Sequence, residues 1–434
     1  MKRFSVILTA AFVAVLSFNA CEEMGGLIPS GEFKFIKDWE EKIEDGQHFV
    51  MNPGDNFAIG IDDRGDRVGW LDEFEWSASD PSVVSIFNSY LVAQHGGEST
   101  VNLKAKDHEA TISVSVPETP HGTINFACHG DWDRNIDVIS QLFDYNDKLF
   151  VNGKMNGDAC NFLTSDAEGN IWQGVYENGA ISLSNNGREL VKNLSFNYPM
   201  PELGYVRREF YRAKHGKLYL MSSVGSSFKY TIVSPDGSYT EGSVPDYNGF
   251  DIDEDGNGNI IVWGQDGHYG RNVLTIKPDG TIDSRPMEIP WRVIIDAGLD
   301  SDGNEYITCL YSLDVDAQSL EVYKNGQVYW RIKNRAWNPK MLIRGNDVCV
   351  ALYAQEEEDD PTNIGLYIMK NKGYTQVATN LFGFSGLDFC LTPNGVPYTI
   401  TNNDWGVVIY KDNTPVLCVP GIINYYNVML AVSD

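Results

Sequence analysis

A turn containing glycine, followed at once by a short β-rich stretch, recurs along the C-terminal two-thirds of the chain. The copies are EGNIWQGVY from Glu168, HGKLYLMS from His215, NGNIIVWG from Asn257, DGNEYITC from Asp302, GNDVCVALY from Gly345 and NGVPYTIT from Asn394, with first glycines 47, 42, 45, 42 and 50 residues apart. About 20 residues into each unit a second strand and turn follow, as SLSNNG, IVSPDG, TIKPDG, EVYKNG, IMKNKG and IYKDN. A unit of this length cannot bury an apolar face alone and must stack on its neighbours. Two hairpins per unit make a four-stranded antiparallel sheet, and an array of such sheets closes into a β-propeller. The predicted fold is therefore all-β.

Residues 122–434 divided by about 45 give close to seven blades, while six complete units are visible. The final NYYNVMLAVSD looks like the strand before a glycine turn, and TINFACHGD after Gly122 looks like the strand after one. Joining the two in a split blade would remove the exposed edges that a sheet must otherwise protect. Seven blades are expected, with six as the alternative.

From Phe33 to Pro117 short runs of alternating apolar and polar residues are broken by Asn, Asp, Gly and Pro, the pattern of an antiparallel sandwich. WSASDPSVVSI from Trp76, then YLVAQHGGESTVNLKAKDHEATISVSV from Tyr90, resembles the group 2 bacterial immunoglobulin-like domain. Trp76, Asp80, Pro81, Val84, Val92, Ala93, Gly97, Val101 and Val114 carry the likeness. It implies an Ig-like β-sandwich over residues 33–117 that serves as a spacer or adhesion module. A Pro- and Gly-rich linker, residues 118–122, separates it from the propeller at residues 123–434.

Residues 1–20 combine Lys2 and Arg3 with an apolar run too short to span a bilayer comfortably, ending in Asn19-Ala20-Cys21. The segment resembles a lipoprotein signal peptide, although Phe18 stands where Leu is usual. The resemblance implies cleavage before Cys21, lipid on its thiol and a tether over residues 21–32. Glu22 and Glu23 look like the surface-export signals of the Bacteroidetes, so an outer-membrane protein facing the exterior is expected.

Removing residues 1–20 takes two of 33 basic residues and none of the 60 acidic ones, leaving about −29. Such a surface repels phosphate backbones, which excludes nucleic acid as a partner. Six cysteines besides Cys21 are widely spaced and sit mostly in apolar contexts, so buried free thiols are expected. No CxxC, HExxH, GxSxG or Walker motif is present.

In almost every blade the approach to the inner strand carries an aromatic residue before the glycine turn: Tyr205, Tyr247, Trp291, Trp337, Phe384 and, in the closing strand, Tyr425 or Tyr426. Flat rings stack on the C–H faces of sugars, with Arg207, Asn248, Arg292 and Asn338 beside them as donors. The competing reading is that these rings are wedges between tapering blades. His268, near Arg271, and Trp405 lie on variable loops between second and third strands, where ligand contacts concentrate. DIDEDGNGN sets Asp251, Asp253, Asp255, Asn257 and Asn259 at alternate places around Gly256 and resembles the calcium loops of integrin-type blades. The closing Glu of an EF-hand is missing, so a plain polar turn competes with calcium binding. Asp251, Asp253, Asp296, Asp388 and Glu209 are the carboxylates that a glycosidase or lyase would need near the channel. TSDAEGNIW approaches the sialidase Asp-box with its glycine one place late, and His215 reads as a surface turn residue.

The resulting expectation is a monomeric, non-catalytic cell-surface binding lipoprotein that recognises a glycan or a surface protein. Its alternatives are a carbohydrate-active enzyme on the same propeller and a scaffold subunit of a surface complex. Propellers serve all three purposes, so the fold does not choose among them.

Overall fold

The computed structural model describes residues 34–433, except 64–65, 69–73, 88, 106–107, 131–140, 145–161, 167, 178, 196–209, 225–226, 269, 291–292, 315–316, 333–335, 358–359, 372, 379–386, 403–405 and 421–424. The regular elements among them are β-strands. The chain divides into two compact units, Met1–Glu118 and Thr119–Asp434.

In the N-terminal unit one sheet runs Glu41–Lys42, Lys34–Lys37, Asn56–Asp63, Tyr90–Ala93 and Val84–Phe87, with Asp66–Val68 also paired to Asn56–Asp63. The second runs His48–Val50, His108–Val116, Gly97–Ala105 and Phe74–Ala78, and its pairing of His108–Val116 with His48–Val50 is parallel. Successive side chains on a strand point to opposite faces. Val101, Leu103, Ile112 and Val114 of the second sheet therefore turn one way and share a single apolar cluster with Phe35, Ile59, Ile61 and Leu91 of the first. Each such aliphatic side chain contributes roughly 1.5–3 kcal/mol on full burial. The Ser-Asp-Pro turn is held by Asp80, whose Oδ1 accepts from the Ser82 amide at 2.9 Å and hydroxyl at 2.6 Å. Gly97 has to be glycine because a Cβ there would stand 2.7 Å from a Val83 methyl.

The second unit is a succession of four-stranded antiparallel meanders spanning 162–195, 211–245, 247–286, 293–332, 336–378 and 387–420, here the first to sixth sheets. A further sheet joins the two ends of the unit. Thr123–Gly130 pairs with Gln141–Asp144 on one side and with Tyr425–Ser433 on the other, in the register Ile124↔Val432 and Phe126↔Leu430. Around the ring one edge strand of each sheet adjoins the next sheet's, the step from Tyr211–Lys214 to Tyr247–Glu254 being made by Arg212 and Lys214 on Asp251. Tyr247–Glu254 meets Val293–Leu299, which meets Ala336–Arg344, which meets Leu387–Leu391; the series continues through Tyr425–Ser433 to Phe162–Ser165 and Tyr211–Lys214. Sheets whose edge strands adjoin in this cyclic order make a β-propeller. Its apolar clusters lie between neighbouring sheets, as where Trp263 and Val273 meet Ala297 and Ile307, and the outermost strands are exposed, as at Ile282–Pro286.

The repeated turns have a common chemistry. Asp166, Asp255 and Asp300 each place Oδ1 within 2.8–3.0 Å of the amides two and four residues on, and Oδ2 within 2.8–2.9 Å of the side-chain amide of Asn170, Asn259 or Asn304. The glycine just before each Asn sits at φ +85°, +76° and +76°, a conformation that side chains resist. On the third-to-fourth-strand turns Asn186, Asn325 and Asn371 adopt φ of 46–49° and accept from the amides of Ile171, Glu305 and Val348 at 2.8–3.0 Å. Asn tolerates this left-handed conformation because its short amide bonds locally.

Candidate binding site on the propeller axis

Alternate residues of the inner strands converge on the axis: Arg212 and Lys214, Asp251 and Asp253, Asp296 and Gly298, Lys340 and Leu342, then Asp388 and Cys390. Inner strands of different sheets are not laddered to one another, so their edge amides need other acceptors. Aspartates supply them. Asp251 Oδ2 accepts from the Ala297 amide at 2.8 Å, Asp253 Oδ2 from Leu299 at 2.9 Å, Asp296 Oδ2 from Met341 at 2.9 Å and Asp388 Oδ2 from Leu430 at 2.7 Å.

Buried carboxylates also need cations. Arg212 places Nε 3.2 Å from Asp251 and Nη2 3.1 Å from Asp296. Lys214 Nζ sits 3.2 Å from Asp251 and 3.7 Å from Asp253, and donates to the carbonyls of Ile252 and Ala297 at 2.9 Å each. His215 Nε2 lies 2.9 Å from Asp253, and Lys340 pairs with Asp388. Burial by itself disfavours the charged forms of Arg212, Asp251, Asp253 and His215, yet their ion pairs prevail. The Arg212 and Lys214 charges hold Asp251 below the usual carboxylate range, Lys214 and His215 do the same for Asp253, and Asp251 and Asp296 keep Arg212 above its ordinary value. The hydrogen bond to Asp253 raises His215 against a smaller opposing effect of burial. Burial pushes the Cys390 thiol upward, in keeping with an unreactive core cysteine.

Beside this network lies a cavity of about 310 Å³ lined by inner-strand and turn residues of all six four-stranded sheets. Arg212, Lys214, Asp251, Asp253 and Asp296 form one wall, while Leu342, Ile343, Leu391 and Pro393 form another. Its exposed lining residues Glu168, His215, Ser301 and Gly345 belong to the turns that end the inner strands.

The residues singled out in the sequence are dispersed. Tyr247 is 4% exposed, its hydroxyl donates to the Asn272 carbonyl at 2.6 Å, and it shares a cluster with Phe228 and Val244 of the preceding sheet. That ring is a wedge between blades, with no face for a sugar. Trp337 is half-buried against the cluster of the fifth and sixth sheets, and Asn248 is exposed. His268 is exposed in a turn, where its amide donates to Asp266 at 2.9 Å. Asn338 and Tyr426 lie on inner strands, with side chains outside the described set. Cys21, Tyr205, Arg207, Glu209, Trp291, Arg292, Phe384 and Trp405 fall outside the described residues.

The calcium-loop candidates separate by environment. Asp251 and Asp253 are bound to Arg212, Lys214 and His215, whereas Asp255 is engaged by Asn257 and Asn259 in its own turn. Among the described residues no group of three or more His, Cys, Asp or Glu side chains is placed to hold a metal ion. His215, read as a surface turn residue, is exposed in its turn at φ +53° and in addition pairs with Asp253 of the axial network. Asp166 of the Asp-box-like segment caps its turn and accepts from the Trp172 indole at 3.1 Å.

The axial cations went unread in the sequence because equivalent places carry Arg212, Asp251, Asp296, Lys340 and Asp388, which show no repeat by identity. The available signal was a charged residue of one sign or the other at this register in every one of these sheets, Asp at three of the five. His215 hid similarly inside a glycine turn.

No family model and no curated protein matches the chain. Among solved structures it is similar to a quinonprotein alcohol dehydrogenase-like protein of Bacteroides thetaiotaomicron, at 10% identity over 77% of this chain and 93% of that one, with a TM-score of 0.38. A protein of Lactobacillus plantarum is similar at 10% identity over 71% and 99% of the two chains, with a TM-score of 0.40. TolB of Acinetobacter baumannii is similar at 10% identity over 71% and 81%, with a TM-score of 0.35. The propeller assignment rests on the strand order and the closure of the ring.

Proposed function

We propose that the chain is a non-catalytic, lipid-anchored binding protein of the outer bacterial surface. Cys21 carries the lipid, an immunoglobulin-like domain acts as spacer, and a seven-bladed propeller takes a glycan. The observation that carries the non-catalytic reading is the engagement of the axial carboxylates. Glycoside cleavage needs one carboxyl ready to give up a proton and a second to attack or to activate water, about 5 to 9.5 Å apart. Asp251, Asp253, Asp296 and Asp388 each accept from a backbone amide of the next sheet and each pair with a cation. Such groups hold strands in register. Asp251 and Asp253, held ionised by their cationic partners, are poorly suited to exchanging protons.

Six four-stranded sheets and the sheet joining both ends of the second unit support seven blades. Two facing sheets around one core, with the Asp80 turn, support the Ig-like reading. Tyr247 is a wedge between blades, and it is the places of the other aromatic residues along the inner-strand approaches in the sequence that support a glycan.

The test is a glycan-array screen of the chain from residue 22 onward, with and without calcium, and with reducing-end detection on every hit. Binding without product is the expected result. Product from any hit overturns the non-catalytic reading, and silence on all glycans transfers the reading to a protein partner.

A further inference from the structure

We propose that the axial cavity at the turn end of the inner strands accepts one neutral sugar unit, the terminal residue of a glycan. This inference rests on the glycan reading above and assigns it a place and a ligand class.

The cavity's size is the first argument. At about 310 Å³ it stands at the lower end of small-molecule sites, which run roughly 300–1,000 Å³. One ring fits; an extended chain does not. Gly298 contributes to the opening, since a Cβ there would stand 3.1 Å from Ile343 Cδ1 and 3.2 Å from Asp253 Oδ2.

Charge is the second. Arg212, Lys214 and His215 on the polar wall lie within 3.7 Å of Asp251, Asp253 or Asp296, and the turns add Asp166, Glu168 and Arg344. The five carboxylates of the lining exceed its cations, so an acidic ligand would need its charge offset against them. A neutral polyhydroxyl ligand has no such need, because each hydroxyl both donates and accepts.

The third is the difference between the walls. The buried ion pairs of the lining stand on the second to fourth sheets, whereas Leu342, Ile343, Leu391 and Pro393 stand on the fifth and sixth, beside Arg344. A pyranose has the same division, with hydroxyls around its edge and C–H bonds on its faces. Thr164, Ser301 and His215 line the space as hydrogen-bonding partners for the edge. Because the exposed lining residues are all turn residues, the ring would enter from the turn end with the rest of the glycan outside.

The experiment is saturation-transfer NMR and calorimetry on the chain from residue 22 onward, using neutral monosaccharides, their uronic-acid counterparts and sialic acid. At least one neutral sugar is expected to bind in preference to the acidic ones. Leu342→Trp, which fills the cavity, should weaken it tenfold or more, and Thr164→Val threefold or more with an unchanged melting temperature. Tyr239→Ala, on the exposed outermost strand of the second sheet and away from the cavity, should leave it unaltered. Sugar binding that survives both Leu342→Trp and Thr164→Val overturns the axial site while preserving the glycan reading. Preference for acidic sugars overturns the ligand class, and no binding of any sugar overturns both proposals.

Discussion

The two units solve the problem of an interior in opposite ways. The N-terminal unit encloses one apolar cluster between two sheets, and its buried polar residues among those described are Gln94 and Ser99. The propeller spreads its apolar groups between neighbouring sheets and buries Arg212, Asp251, Asp253, Asp296 and Asp388 at the axis. Two facing sheets complete their hydrogen bonds within each sheet, so an apolar filling suffices. A ring of sheets brings together first strands whose inner edges no ladder pairs. Their amides must be satisfied by side chains from the next sheet, and the carboxylates that do so require cations in turn.

The largest effect is expected where that logic is cut. Arg212→Met leaves Asp251 and Asp296 without their guanidinium and should cost the propeller about 3–5 kcal/mol, read by urea denaturation with hydrogen exchange resolved by unit. The N-terminal unit should be unaffected. If Arg212→Met costs no more than a surface substitution, the axis is not organised by charge. Leu103→Ala sharpens the other side, with an expected loss of about 2–5 kcal/mol confined to the exchange of the N-terminal unit.

Asp255→Ala removes a turn acceptor and should cost about 1 kcal/mol, equally in calcium and in chelator. A melting temperature that rises with calcium in the parent and not in the variant would restore the metal reading of this turn.

The smallest effect is that of His215. Its protonated form is favoured in the folded chain by Asp253, so its contribution is fully present below the unfolded pKa of about 6.5 and is lost as pH rises through the higher folded value. The side chain is 46% exposed, which screens the pair and limits the effect to less than about 1 kcal/mol. Parent minus His215→Gln stability, measured from pH 5 to 9, should shrink as pH rises. A difference that grows over that range sinks the assignment.

Local chemistry was largely legible beforehand. The glycine turns and the Asn turns at 186, 325 and 371 announce themselves because each is a short-range solution to one backbone conformation, repeated whenever that conformation recurs. The split sheet was readable for the same reason, since NYYNVMLAVSD looks like the strand before a glycine turn and TINFACHGD like the strand after one. The candidate site was legible only in fragments. Asp251 and Asp253 stood out as oxygen ligands, yet Arg212 and Lys214, which bind them, are 37 to 39 residues earlier and sit in an unremarkable strand. Tyr247 was visible as an aromatic residue, but not which of its sides would be covered.

By itself the sequence determined the repeat, its strand count and the chemistry of its turns, because these depend on residues within a few places of one another. The tertiary structure decided which carboxylate meets which amide, that Lys214 stands between Asp251 and Asp253, and that Tyr247 is enclosed by the preceding sheet. Those contacts join residues about one sheet apart in the chain. Their partners are chosen only when the ring closes and every inner strand acquires its neighbour.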